Sequence, residues 1–388
     1  MEVKIVLGHA FGDEGKGVTV QYLCKKAIDE GKKPLVIRFS GGPQAAHTVK
    51  YNGVTHVCSS YGSGVLLGVP TLILNSAYFD PVCAQNEYNV LKDKMEVVPP
   101  LYVSYDTNLI TYYDVMSGRS DIKVITDGTC GKGIYPTFKR TQIDQIMSTA
   151  YDTLQAPETV IDGIKEYYGA DAHLDLFKSF LGALNADFWN TVNDSIISFY
   201  DVWIFEGSQG LLLDMESGFY PNVTPSKVGL NGVPAHLLKD AELYLVERTY
   251  LTRHGIGYLP CKRTFNFNLE NKFETNVYNE YQGEFKVGIY DFDLLHDAIN
   301  RAHIDNYIKM YDLHPNLVIT HFDLLDGVDE FHYKKNGMID SFKFENKYFV
   351  ANFINNTASI PYEHVYVNES PESDLKDHNH LLVLFSNK

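Results

Sequence analysis

The sequence predicts an α/β protein: a central, mainly parallel twisted sheet with helices on both faces. Three observations carry that expectation. Apolar runs of strand length (Val3–Leu7, Pro34–Phe39, Thr71–Asn75, Pro99–Ser104, Asp201–Phe205) alternate with segments of helical spacing, the order that builds βαβ units. Glycine-rich turns follow several of these runs, and the carboxyl ends of parallel strands are where such sheets keep their ligands. The chain has 388 residues, 45% of them hydrophobic, enough to fill one large core or two.

The first element, Val3 to Leu7, is a buried strand by composition. Val18 to Ile28 follows with helical spacing at Val20, Leu23 and Ala27, so strand, turn and helix lie in sequence. Pro34–Phe39 closes the βαβ unit with that helix as the crossover. Thr71–Asn75 and Pro99–Ser104 are further strands, and Asp80–Pro81 starts a helix that runs to Met95. The mostly apolar Ile122–Ile125 precedes another glycine-rich stretch. Residues 142–194 show helical spacing (Ile143, Ile146, Leu154; Leu174, Phe177, Phe180, Leu184) and are expected to form a helical insertion. Asp201–Phe205 is the next buried strand, and Leu381–Phe385 reads as a final one. No internal repeat or low-complexity tract is present, so 1–388 is expected to form a single domain.

Net charge is -16, from 33 basic and 49 acidic residues. Such a surface repels polynucleotides and anionic membranes, which leaves room only for a local basic pocket that takes a small anion. The five cysteines are scattered without a C-x-x-C pair, the pattern of reduced thiols rather than a disulfide frame or zinc site. No apolar run reaches about 18 residues and no signal-peptide core opens the chain. A soluble cytoplasmic protein is expected.

The stretch with most chemistry is Gly8-His-Ala-Phe-Gly-Asp-Glu-Gly-Lys-Gly17. Backbone N–H groups at a helix start hold phosphate. Gly12, Gly15 and Gly17 permit close approach, and Lys16 adds a point charge. It is not the Walker pattern, because no Ser or Thr follows the lysine. Asp13 and Glu14 would repel phosphate unless a metal or a proton-transfer task explains them.

This run resembles the phosphate loop of the adenylosuccinate synthetase family, and later stretches match that family in order. Ser40-Gly-Gly-Pro-Gln-Ala-Ala-His-Thr-Val49 is similar to its Gly-Gly-x-Asn-Ala-Gly-His-Thr-Val loop, with Gln44 for Asn and Ala46 for Gly. Thr126 to Pro136 resembles its Gly-Thr-Thr-Gly-Arg-Gly-Ile-Gly-Pro run. Glu206-Gly-Ser-Gln-Gly-Leu-Leu-Leu-Asp214 stands close to Glu-Gly-Ala-Gln-Gly-x-Leu-Leu-Asp, and Tyr220-Pro-Asn-Val-Thr224 extends it. Thr252-Arg-His-Gly-Ile-Gly257 resembles Thr-Arg-Val-Gly-x-Gly, and Thr320-His-Phe-Asp-Leu-Leu-Asp-Gly327 resembles Thr-Lys-Leu-Asp-Val-Leu-Asp-Gly. The resemblance spans about residues 3–335.

The resemblance implies a C–N bond-forming ligase that joins L-aspartate to C6 of a 6-oxopurine nucleotide, with IMP giving adenylosuccinate. It assigns Asp13 as general base, His47 to the moving phosphoryl group, and Gln209 to the 6-oxygen side of the purine. Gly12, Glu14, Gly15, Lys16 and Gly17 would hold the NTP phosphates; Asp323 and His321 would meet the NTP base. Asp323 favours GTP, with ATP as the alternative. The purine nucleotide would contact Gln44, Thr129, Cys130, Gln209, Thr224 and Arg140, the last reaching across a homodimer interface. Mg2+ would sit on Asp13 and the backbone oxygen of Ala46. In the variable amino-acid loop, about 273–288, no arginine replaces the family's Thr-Thr-Gly-Arg-Arg-Arg, leaving Thr275, Asn276 and Lys286 as contacts. Related virus-encoded enzymes act on dGMP, so (d)GMP is the alternative substrate. Asp13 favours IMP, because a carboxylate at N1 crowds a 2-amino group. A catalytically silent nucleotide sensor is the alternative of another class.

Overall fold

The computed structural model describes residues 1–121, 128, 130–143, 146–260, 283–370, 372 and 374–378. The apolar run Ile122–Ile125 and the expected strand Leu381–Phe385 lie outside these residues. A ten-stranded sheet crosses the molecule in the order Leu375–Asp377, His364–Asn368, His314–Thr320, Glu242–Arg248, Glu2–Gly8, Val202–Gly210, Pro34–Arg38, Thr71–Ile73, Leu101–Ser104, Trp189–Val192. Every neighbouring pair is parallel except the first, which is antiparallel.

The Glu2–Gly8 strand sits centrally and is buried on both faces, as an unbroken apolar run requires. Ile5 and Leu7 join the large core on one side, and Val6 joins the core on the other. The helix Lys16–Asp29 covers the Val6 face through Val20, Leu23, Cys24 and Ala27. The helices Phe292–Arg301 and Tyr348–Thr357 cover the Ile5 face through Leu295, Ala298, Ile299, Val350 and Ile354. The period-2 alternation of the strand thus divides its side chains between two helical layers, and the predicted two-faced α/β fold is observed.

The insertion is helical over Ala150–Gln155, Pro157–Tyr168 and Leu174–Leu184. It then departs from expectation. Trp189–Val192 adds a parallel edge strand, pairing Leu101 with Trp189. Trp189 packs on Phe79 at 5.0 Å, so burial of this indole, not helical period, decides the conformation there. The strand Glu242–Arg248 is not among those read from sequence, although Leu243, Leu245 and Val246 are fully buried in it. Among the described residues no helix is long and apolar enough to cross a membrane, and Cys24, Cys58, Cys83 and Cys130 form no disulfide.

Candidate active site

Four loops meet at the carboxyl edge of the sheet. The first follows Glu2–Gly8. Gly12, Asp13 and Gly15 have φ of 93°, 58° and 97°, a left-handed sequence that tips successive N–H groups toward one point. Gly15 caps the helix that starts at Lys16. Side chains elsewhere brace the turn: Arg248 Nε donates to Asp13 O at 2.5 Å, Thr252 Oγ1 to Gly12 O at 3.2 Å, and Thr320 Oγ1 to Glu14 O at 2.6 Å.

The two acidic residues of this loop part company. Glu14 is buried and turns inward, where it accepts from Ala10 N at 2.6 Å and lies 3.4 Å from Lys16 Nζ. Burial raises its pKa, against the pull of Lys16 and the loop N–H groups. Its carboxylate therefore belongs to the scaffold of the loop, which leaves the Glu14 backbone N–H as the group that could face phosphate. The Asp13 carboxylate makes no hydrogen bond among the described residues, and its charge is felt at the Cys130 thiol.

The second loop carries His47 at the start of the His47–Tyr51 strand. A Cβ on Gly17 would lie 2.8 Å from His47 Cβ, so His47 packs directly against the start of the phosphate-loop helix. His47 Nδ1 is 2.5 Å from Glu206 Oε1. Glu206 also accepts from Ser63 N at 3.0 Å and from Ser63 Oγ. Burial alone would raise the Glu206 pKa, but His47, Arg38 and Ser63 outweigh it and hold the carboxyl at about 2. An ionised Glu206 makes Nδ1 the donor, and burial lowers the His47 pKa, so the resting ring is neutral with Nε2 turned away from the carboxylate. Arg38 ties this loop down through Ala45 O at 2.7 Å and Ser59 O at 2.9 Å. Ala46 beside it is exposed.

A group with a depressed pKa stabilises the fold above its unfolded value and loses that contribution as pH falls toward its folded value. Glu206 should act this way between about pH 4.5 and 2. Thermal melts should show the parent losing about 2 °C more than Glu206→Gln between pH 5 and 3. Identical pH slopes would mean that Glu206 is not held ionised.

The third loop ends the Val202–Gly210 strand. Gln209 has φ 57°, and a Cβ on Gly210 would strike Ala10 O at 2.4 Å and Gly12 N at 2.6 Å. Glycine at 210 is thus required for the Gln209 and Asp13 turns to touch. The fourth loop follows His314–Thr320. His321 has φ 53°, lies 3.0 Å from Thr320 Oγ1 through Nδ1, and presents its ring edge-on to Tyr250. Burial and Arg248 push its pKa well down, leaving an uncharged ring. Asp323 is half-buried in the turn Phe322–Leu325, and burial raises its pKa.

Beside these loops lies a cavity of about 240 Å³, whose wall includes Gln44, Cys130, Lys132, Gln209, Thr224 and Arg253. Gln44 Oε1 and Nε2, Gln209 Oε1, Arg253 Nε and His254 Nε2 are buried there without partners among the described residues. Buried polar atoms normally find partners, so this cavity is shaped for a polar guest. Lys132, Lys139 and Arg253 line it against one carboxylate, Asp121: a local cationic pocket in an acidic protein. Burial and Asp13 raise the Cys130 thiol to about 11, so it meets a ligand as a neutral thiol.

Arg140 stands elsewhere. It is fully buried, with Nε donating to Asp114 Oδ1 at 2.6 Å and Nη2 to Asp114 Oδ2 at 2.9 Å. Leu109 O, Ile146 O and Ser148 Oγ accept its remaining donors at 2.8–2.9 Å. A guanidinium so committed cannot reach across an interface to a phosphate, which corrects the expectation for Arg140. Lys286, on the Phe285–Gly288 strand, donates to Ile256 O and Gly257 O at 2.9 and 2.8 Å and braces the cavity wall. Thr129, Thr275 and Asn276 lie outside the described residues. Arg38, Glu206, Ser63, Arg248 and Thr320 are absent from the sequence-based set. Of these, Arg38 and Arg248 carry a readable signal, a cation closing a buried strand.

The profile of the adenylosuccinate synthetase family matches residues 5–351. The chain belongs to this family. It is a C–N bond-forming ligase by that membership, acting on nucleotides. Among the relatives of the adenylosuccinate synthetase family, that of Azobacteroides pseudotrichonymphae is 28% identical over 72% of this chain and 70% of its own length. That of Xylella fastidiosa is 28% identical over 84% and 78%, and that of Thermotoga maritima 26% over 84% and 82%. In structure, the fully ligated adenylosuccinate synthetase of Plasmodium falciparum superposes with TM-score 0.72 at 19% identity, over 96% of this chain and 98% of that one. The succinoaminodeoxyadenylate synthetase of cyanophage S-2L, bound to dGMP and dATP, superposes with TM-score 0.63 at 14% identity, over 99% and 98%. At those identities the two structures share the fold.

His56, Cys58 and Glu87 are the one group among the described residues with metal-ligand spacing, within 4.8 Å of one another. Glu87 already accepts from Ser59 N, Ser59 Oγ and Ser60 N, so this cluster is a structural knot. The Asp13 carboxylate, uncommitted and adjacent to a phosphate loop, suits Mg2+, which takes one or two carboxylates and completes its shell from phosphate and water.

Proposed function

We propose that this protein joins L-aspartate to C6 of IMP, at the expense of GTP and with Mg2+, to give adenylosuccinate. The observation that carries the proposal is the contact of two left-handed turns: one carries Asp13, whose carboxylate makes no hydrogen bond among the described residues and whose charge reaches the Cys130 thiol of a cationic cavity, and the other carries Gln209, whose Oε1 stands in that cavity's wall without a partner among them. Gln209 would fix the 6-oxygen side of the purine while Asp13 accepts the N1 proton. The 6-oxygen, made nucleophilic, then attacks the γ-phosphorus of GTP, the bond from that phosphorus to the β,γ-bridging oxygen breaks, and GDP leaves. The loop N–H groups and Lys16 would stabilise the charge on the moving phosphoryl group. The nearby polyphosphate draws a proton onto His47 Nε2, and Glu206 holds the resulting imidazolium. The aspartate amine then displaces phosphate at C6. Bound Mg2+, held by Asp13 and the Ala46 backbone oxygen, would neutralise phosphate oxygens.

Gln44, Cys130 and Thr224 are proposed to contact the IMP, and Asp323 and the neutral His321 the GTP base. Residues 1–388 are read as one adenylosuccinate-synthetase-like unit in the cytoplasm. A homodimer is proposed on family membership alone, since Arg140 no longer supports it.

The test is an assay with Mg2+ and L-aspartate that crosses IMP and dGMP against GTP and ATP, following phosphate release and the succinylated product. Turnover is expected with IMP and GTP. Turnover with dGMP alone would move the protein to the 2-amino branch, and ATP preference would remove Asp323 as a guanine contact. No phosphate release in any combination would leave a nucleotide sensor.

A further inference from the structure

The cavity wall carries a buried charge that the ligase reading leaves unused. Arg253 is 3% exposed, with its guanidinium over the Phe11 ring at 4.3 Å. Its Nη1 donates to Tyr258 O and its Nη2 to Asn222 O, both at 3.0 Å. Both acceptors are neutral carbonyls, and Nε has no partner. Among the described residues Arg253 forms no ion pair. A buried cation facing only neutral acceptors is costly, and an anionic group that reaches it removes that cost. Burial has already lowered its pKa to about 10. The site is built to hold this group still: a Cβ on Gly257 would lie 1.8 Å from Arg253 Nη2, so only glycine lets the chain wrap the guanidinium this closely.

Position decides which anion fits. Thr252, the preceding residue, donates to Gly12 O, and Phe11 lies under the guanidinium. Arg253 therefore stands against the turn that carries Asp13, where the purine ring is proposed to react. The reacting carbon must receive an amine there, and the molecule that brings it carries carboxylates. Residues 275–288 contain no arginine to hold them. We infer that Arg253 binds a carboxylate of the amino-acid substrate, through Nε and the edge of its fork, with His254 Nε2 as the neighbouring polar contact. A guanidinium suits a carboxylate because its planar N–H groups match the two oxygens. His254 is oriented edge-on to Phe285 at 6.0 Å, and its Nε2 is likewise without a partner. The inference rests on the ligase reading.

The experiment uses the full chain with Arg253→Gln and Arg253→Lys. KM for aspartate is expected to rise about 100-fold in Arg253→Gln and about 10-fold in Arg253→Lys, with KM for both nucleotides within three-fold of the parent. A rise in KM for the purine monophosphate at unchanged aspartate KM would overturn the inference, as would three-fold or smaller changes throughout. Hydrogen exchange on the unsubstituted protein, loaded with both nucleotides, covers the case of variants that fail to fold. Succinate, a dicarboxylate without the amine, should protect the Leu251–Tyr258 segment, and absence of protection overturns the inference. A parent protein that turns over while Arg253→Gln keeps its aspartate KM sinks this inference alone; a parent that releases no phosphate sinks the ligase reading, and the succinate result then decides Arg253 independently.

Discussion

Asp13→Asn is expected to lower turnover by about 10²- to 10⁴-fold, the range a positioned general base supplies, while nucleotide dissociation constants move less than about five-fold. Asparagine is the right replacement because residue 13 has φ 58°, a left-handed conformation that asparagine tolerates better than other side chains. Arg248 and Thr252 hold this turn through backbone oxygens, so the loop does not depend on the carboxylate that is removed. Steady-state kinetics and nucleotide titration of the same preparation separate the two effects. Undiminished turnover would take Asp13 out of proton transfer, and an equal loss of binding and turnover would make it a structural part of the loop.

Arg140→Ala is expected to cost about 3–5 kcal/mol of stability, the usual penalty when one partner of a buried ion pair is removed and the other is left behind. Asp114 would be that orphan. It is fully buried, takes both bonds from Arg140, and also accepts from Thr111 N at 2.7 Å and Tyr168 OH at 2.8 Å. Denaturant unfolding measures the loss. The double variant Arg140→Met with Asp114→Leu should recover part of it, since two matched apolar groups strand no charge. If Arg140→Ala instead left stability within about 0.5 kcal/mol and weakened purine nucleotide binding, the phosphate role would return to Arg140.

How much of the site could be read in advance depends on how local its causes are. The phosphate loop was legible because strand, glycines and helix start are consecutive, and phosphate binding there follows from backbone geometry. Gln209 was legible for the same reason, as an amide between glycines at a strand end. Glu14 was not, since the direction of its side chain is set by Ala10 N and Lys16 within a folded turn. The family resemblance places Arg140 at a phosphate, yet its donors are claimed by Leu109, Asp114, Ile146 and Ser148, which meet only once three segments pack together. The strand at 189–192 falls within a span whose spacing predicts helix, because apolar spacing alone cannot separate a short buried strand from a helical turn.

The sequence by itself determined the α/β layering, the phosphate loop and the family, because alternation, glycine placement and short motifs act over a few neighbouring residues. Tertiary structure alone decided that His47 leans on Glu206, 159 residues away, that Arg248 holds the Asp13 turn from 235 residues away, and that Arg253 faces the cavity without a counter-ion among the described residues. Charge pairing and burial depend on distances that exist only after the sheet has brought its strand ends to one edge.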